Sequence, residues 1–328
     1  MKNRERCRAA LNFEPVDRLP MIEWAGWWDK TLDRWQKEGL EYHGDPDALR
    51  EDFGLDMVRQ FWIWPHKSTF PHTFVRTPDD YKRIKEHMYP ESLDRAIDTS
   101  KIWRLKDLHE RGEVVVWITL NGFFWNPRTL FGIENHLYAF YDYPDLMHEM
   151  NKDLTEYHLR IVEEFCGILE PDFMTFAEDM SYNHGPMLSR ELFNEFLLPY
   201  YRHIVPVLKK HNILPFVDTD GNLESMIPWL AEAGIEGALP LERQAGVDVA
   251  RIRKNHPSFR LIGAYDKMVM SKGEEEMRRE FERLLPVMKC GGFIPSCDHQ
   301  TPPEVSLANY RVYLALLKEY CEKAGSQR

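Results

Sequence analysis

The chain has 328 residues, 43% hydrophobic and 29% charged, with a formal net charge of -11; one closed α/β barrel of about 250 residues plus an extension fits that length. This content excludes a disordered chain, and an acidic balance without a basic stripe excludes a general nucleic-acid surface, since phosphate binding needs clustered Lys and Arg. Five cysteines with no CxxC pair argue against a disulfide framework or a zinc finger. The charged start MKNRERCRAALNFEP lacks the apolar run of a signal peptide, and no stretch approaches the roughly 20 apolar residues of a membrane span. A cytoplasmic protein with neither nucleic acid nor membrane as partner is expected.

In chain order, short apolar runs that stop at a polar residue recur eight times. They are 19–22 ending at Glu23, 57–64, 114–120 ending at Asn121, and 173–177 ending at Glu178 and Asp179. Then follow 213–217 ending at Asp218 and Asp220, 235–241 ending at Glu242, 261–265 ending at Asp266, and 293–296 ending at Cys297 and His299. Amphipathic stretches lie between them, such as 144–170, 223–233 and 273–288, and a last helix opens after Pro302 and Pro303. Strand and helix alternating eight times predicts an α/β protein, a (β/α)8 TIM barrel, rather than an open doubly wound sheet. The first 110 residues hold two of the eight strands and are expected to add an N-terminal helical extension. No linker, low-complexity tract or charge shift divides the sequence, so residues 1–328 read as one domain.

Polar residues at the carboxyl ends of barrel strands converge on one mouth. Glu23, Asn121, Asp179, Asp218, Asp220, Glu242, Asp266, Cys297 and His299 are therefore candidates for a common pocket. Capping the next helix is an equally good reading for Asp179 and Asp266. In Asp218-Thr219-Asp220-Gly221-Asn222 two carboxylates two residues apart point the same way on an extended chain. They suit oxygen ligation of a metal, proton exchange or a cationic substrate group, and an Asx-type turn is the structural alternative. Cys297 and His299, with one or two carboxylates, suit an open zinc site, against which stands a buried inert thiol. Trp24, Trp27, Trp28, Trp62, Trp64, Phe123, Phe124 and Trp125 cluster near early strand ends; Trp24, Trp28, Trp62 and Trp125, with Asn121 and Asp266, are candidates for substrate binding. His66, His184 and His211 have no spacing partner. GxSxG, GxxxxGK[ST] and GxGxxG motifs are absent, which sets aside nucleoside triphosphates and dinucleotides.

The segments NRERCRAALNFEPVDRLP, FAEDMSYNHGPMLSRELFNEFLLPYYRHI, VDTDGNLESMIPWLAEAGIEGALPLE, LIGAYDK and GGFIPSCDHQTPPEVSLANY, in this order, resemble the uroporphyrinogen decarboxylase superfamily of tetrapyrrole decarboxylases and cobalamin-linked methyltransferases. Its decarboxylases carry an arginine-rich MRQAGRY-like segment and an FSDI-like catalytic aspartate segment. Here the matching stretches read Ile22-Glu23-Trp24-Ala25-Gly26-Trp27-Trp28 and Gln60-Phe61-Trp62-Ile63-Trp64. Glu23 beside an octa-anionic porphyrinogen would add like-charge repulsion. The methyltransferase branch places an HxC pair after the fifth strand and a Cys after the last as zinc ligands. At those positions stand Asp218, Asp220 and Cys297, with Glu242 or His299 to complete four ligands.

The resemblance therefore implies a methyltransferase that demethylates a methylated or methoxylated small molecule, possible zinc at that set, and a corrinoid supplied by a partner protein. Asp179 and Glu23 would orient substrate or shuttle a proton beside catalytic Asp218 and Asp220. A decarboxylase for a tetrapyrrole or other carboxylate and a non-catalytic corrinoid- or tetrapyrrole-binding protein are the alternatives.

Overall fold

Seven of the apolar runs form strands of one parallel sheet in the computed structural model, which describes residues 1–66 and 74–325. Among the described residues the strands in chain order are β1 (Val58–Ile63), β2 (Val115–Asn121), β3 (Phe173–Ala177), β4 (Ser181–Tyr182), β5 (Gly185–Pro186), β6 (Leu214–Asp218), β7 (Gly237–Leu239), β8 (Arg260–Tyr265) and β9 (Phe293–Cys297). β4 and β5 make a small antiparallel hairpin, and the other seven pair in the order β1-β2-β3-β6-β7-β8-β9. That order never reverses, whereas a doubly wound sheet has a switch point where it does. The alternation of strand and helix thus produces the barrel type of winding. β2, β3 and β9 are buried along their whole length, as parallel strands covered on both faces must be.

The expected eighth strand, 19–22, is a correction: it joins no ladder. Pro20 has no N–H to give, and side chains take the groups that a neighbouring strand would pair. The Cys297 amide donates to Glu23 Oε2 at 3.1 Å and the Trp24 amide to Ser296 Oγ at 3.3 Å, both toward β9. On the other side the Asp56 amide donates to the Met21 carbonyl at 2.8 Å, just before β1. The segment therefore reaches both edge strands without becoming a strand.

Helices cover the sheet. In Pro144–Cys166 the residues Met147, Met150, Leu154, Ile161 and Phe165 fall on one helical face and are buried. The N-terminal residues add the helices Asn3–Leu11, Asp29–Lys37 and Pro46–Asp52. Trp27, Trp35, Phe53 and Tyr310 interlock there, with the Trp35 and Tyr310 rings 4.5 Å apart, so Trp27 is core. At the amino ends of the strands Asp172 accepts from Arg4 Nε at 2.7 Å and from the Val116 amide at 3.1 Å, and His109 lies 3.2 Å away. Those contacts hold the base of the fold.

Candidate active site

Strand register builds the mouth. Asn121 pairs with Ala177, Ala177 with Asp218 and Asp218 with Leu239, so the last residues of four strands end level. On β1, Gln60 and Trp62 share a face by the two-residue period of a strand. Trp24, Gly26, Gln60, Trp62, Trp125, Ala177, Asp179, Asp218, Asp220, His299 and Gln300 are among the walls of a pocket of about 370 Å³. The structure thus brings together Asp179, Asp218, Asp220, His299, Trp24, Trp62 and Trp125, all singled out in the sequence.

The acids are held by backbone geometry. Asp179 adopts φ +40°, a left-handed conformation unusual for a side-chain-bearing residue, and its Oδ1 accepts the Asp220 amide at 3.3 Å. Gly221, at φ +83°, turns the chain where a Cβ would come within 2.5 Å of the Tyr182 backbone. Glu242 Oε2 accepts the Gly221 amide at 3.0 Å. The loop is therefore pinned from both sides, and Asp218 and Asp220 stay close enough to interact.

Burial raises all three pocket carboxyls, and mutual repulsion adds to it. Asp218 is pushed well above the ordinary carboxylate range, with Asp179 and Asp220 as the neighbouring charges. Asp220 is pushed up to about 7 by burial, then by Asp179 and Glu242, with Lys267 opposing. Asp179 is raised chiefly by burial. His299 Nε2 sits 3.8 Å from Asp220 Oδ2, yet burial and then Lys267 hold its pKa below the usual imidazole value. Near neutral pH Asp220 therefore keeps part of a proton that an exposed carboxyl would lose.

Sequence reasoning missed Glu178, Gln60 and Gln300. Glu178 is fully buried and accepts the amides of Phe123 at 2.8 Å, Phe124 at 2.7 Å and Trp125 at 3.1 Å, together with the Tyr201 hydroxyl. It fixes the loop that carries Trp125 into the pocket. The signal for it was the unusual Gly122 before two phenylalanines, since a Cβ there would lie 1.9 Å from the Glu178 carboxyl carbon.

Other candidates lie elsewhere. Trp28 is exposed and outside these walls. Asp266 caps a short turn by accepting the Met268 amide at 2.8 Å and also accepts from Gln244 at 2.5 Å. Asn121 is buried and accepts from Trp62 Nε1 at 3.4 Å. Glu23 is buried, holding Ser296 and Cys297. His211 pairs with Glu163 and Glu170, and His184 meets Tyr182 edge-on.

The donor set does not fit a metal. Among the described residues no group of three or more His, Cys, Asp or Glu side chains is arranged to hold an ion. The Cys297 thiol is buried 3.9 Å from Met270 Sδ, and Glu242 lies 3.4 Å from Lys267 Nζ. Of Asp218, Asp220, Glu242, Cys297 and His299, Asp220 Oδ2 and His299 Nε2 approach each other to 3.8 Å without a hydrogen bond.

An acid-lined, tryptophan-walled pocket at the carboxyl ends of a curled parallel sheet defines a barrel-type α/β protein with its site at the mouth. A model of the uroporphyrinogen decarboxylase family matches residues 56–320, and the chain belongs to that family. Among solved structures, a methyltransferase from Methanosarcina mazei is similar over 98% of this chain and 99% of its own, at 16% identity and a TM-score of 0.66. An endo-1,4-beta-mannanase from Rhizomucor miehei is similar over 92% and 94%, at 11% identity and a TM-score of 0.50. At such identities the likeness is one of fold. No curated protein matches the chain in sequence. Among the described residues no helix is long and apolar enough to cross a membrane.

Proposed function

We propose that the protein is an enzyme that removes a methyl group from a small methylated or methoxylated molecule and passes it to a corrinoid carried by a partner protein. One observation carries this reading: among the described residues, three tryptophans and three aspartates line the pocket, with no lysine or arginine. A polycarboxylate such as a porphyrinogen would meet like charge there, and about 370 Å³ suits a compact ligand.

The corrinoid, when bound, supplies the nucleophile that takes the methyl group. The chain's own residues do the rest. Trp24, Trp62 and Trp125 exclude water and fix the substrate's orientation, which is worth much of the barrier for an in-line transfer. As the methyl leaves, the electron pair of its bond stays on the heteroatom. Asp220, part of which still carries its proton near pH 7, donates to an oxygen so released; ionised carboxyls would instead hold a nitrogen that starts out cationic. Asp179 positions Asp220 through the 3.3 Å hydrogen bond to its amide.

The test mixes the purified protein with a reduced corrinoid protein and ¹³C-methyl donors and follows loss of the donor signal by NMR. Wild type is expected to demethylate at least one donor, and Asp220→Asn to slow it by about 10²-fold. Carbon dioxide release from a carboxylate without corrinoid, and no methyl loss, would replace this reading with a decarboxylase.

A further inference from the structure

Among the described residues no lysine or arginine lines the pocket, and the cations nearest its acids are engaged elsewhere. Lys267 Nζ lies between Glu242 and Asp298, 3.4 Å from each. Arg128 donates to the Asp179 carbonyl oxygen at 2.7 Å and sits over the Trp125 ring at 4.9 Å, outside the pocket walls. His299 is held neutral by burial and by Lys267. The Asp218 carboxylate accepts no hydrogen bond from any described residue, although burial and two neighbouring acids raise the cost of its charge. A half-buried carboxylate left without a partner is costly to ionise, and a cation placed against it lowers that cost.

That partner must also suit the walls. Trp24, Trp62 and Trp125 surround the same space, and the negative face of a tryptophan ring attracts a desolvated cation. In a methylated ammonium ion the positive charge spreads from nitrogen onto the methyl groups, so one ligand satisfies aromatic faces and carboxylates together. A neutral ether satisfies only the faces.

Resting on the methyl-transfer reading above, we propose that the substrate is a methylated ammonium ion, bound with its charge against Asp179, Asp218 and Asp220 and its methyl groups on the three tryptophans. The N–CH₃ bond breaks with its electron pair remaining on nitrogen, the methyl group goes to the corrinoid nucleophile, and the amine departs neutral. A quaternary ammonium needs no proton in that step. Cation binding favours ionised carboxyls, so affinity rises as pH rises through about 7, where Asp220 loses its proton among Asp179, Glu242, Asp298, Lys267 and His299.

The test is binding, without corrinoid or turnover, of choline and its neutral isostere 3,3-dimethylbutan-1-ol to the full chain, followed by calorimetry and tryptophan fluorescence. At pH 8 choline is expected to bind at least ten-fold more tightly than the alcohol, with the preference shrinking toward pH 5.5. The double variant Asp218→Asn, Asp220→Asn, checked for unaltered thermal unfolding, is expected to bring the two ligands within two-fold of each other while leaving the alcohol's affinity in place. Trp125→Leu is expected to weaken choline more than the alcohol. Equal affinities in wild type, or a preference that survives the double variant, would overturn the proposal. Cation preference without methyl loss would defeat the methyl-transfer reading alone; methyl loss from ethers without cation preference would defeat this one alone.

Discussion

Glu178 and Asp179 are neighbours with opposite tasks. The chain leaves β3 through a left-handed turn at Asp179, which enters the pocket while Glu178 turns into the packing behind it. Burial pushes the Glu178 carboxyl up to about 7, yet three amides and the Tyr201 hydroxyl satisfy it. Gly122 makes room for this contact, since a Cβ would come within 1.9 Å of the carboxyl carbon. Gly122→Ala must push Glu178 off the amides of Phe123, Phe124 and Trp125. We expect a loss of about 3 kcal/mol in urea unfolding, from overpacking together with unpaired buried donors, and a weaker fluorescence response of the pocket to choline. Unchanged unfolding would show that the loop does not depend on Glu178. In the sequence the two acids look alike at one strand end; only the left-handed turn at Asp179 and the amides that Glu178 accepts tell their tasks apart, so the role of Glu178 was not legible.

At the scale of elements, the sequence was most legible where an apolar run could be nothing but a covered parallel strand, as in Val115–Asn121 and Phe293–Cys297. It was least legible at 19–22, which has the composition of a strand but carries Pro20 and ends at Glu23. There a carboxylate does the work of a strand carbonyl: its Oε2 accepts the Ser296 hydroxyl at 2.7 Å and the Cys297 amide at 3.1 Å. Such substitution of side chain for backbone leaves no mark in hydropathy. It does make Glu23 a tie between the N-terminal segment and β9, which can be separated from a role in chemistry. Glu23→Ala is expected to cost about 2–4 kcal/mol in urea unfolding by stranding the Cys297 amide in the interior. Glu23→Gln keeps an acceptor oxygen and should recover at least half of that. If Gln restored stability while methyl loss remained as low as in Ala, Glu23 would belong to the chemistry as well.

The whole molecule couples the mouth to pH. Above pH 6.5 the unfolded chain has few protonated carboxyls, because their ordinary values lie near 4. The folded chain still carries protons on Glu178 and Asp220, each pushed up to about 7, and on part of Asp298, pushed up to about 6. The native state then binds more protons than the unfolded one, so stability falls as pH rises through these values. Below pH 6.5 two buried imidazoles act in the opposite sense: burial holds His136 and His158 down at about 3, and unfolding lets them take up protons. From pH 6.5 to 8 the acids outweigh these imidazoles, which in the unfolded chain are already half deprotonated at the lower end of that window. Over it, the urea midpoint of the free protein is expected to drop, and Asp220→Asn to drop less because one of the titrating groups is gone. A saturating methylated ammonium ion should flatten the fall further, since it lowers the cost of ionising the pocket carboxyls in the folded state alone. The stabilisation it confers must then grow with pH, by mass action on a tightening site. A midpoint that stays level from pH 6.5 to 8 in wild type would mean that the mouth acids are already ionised without ligand, and the coupling between pocket charge and stability would fail with it.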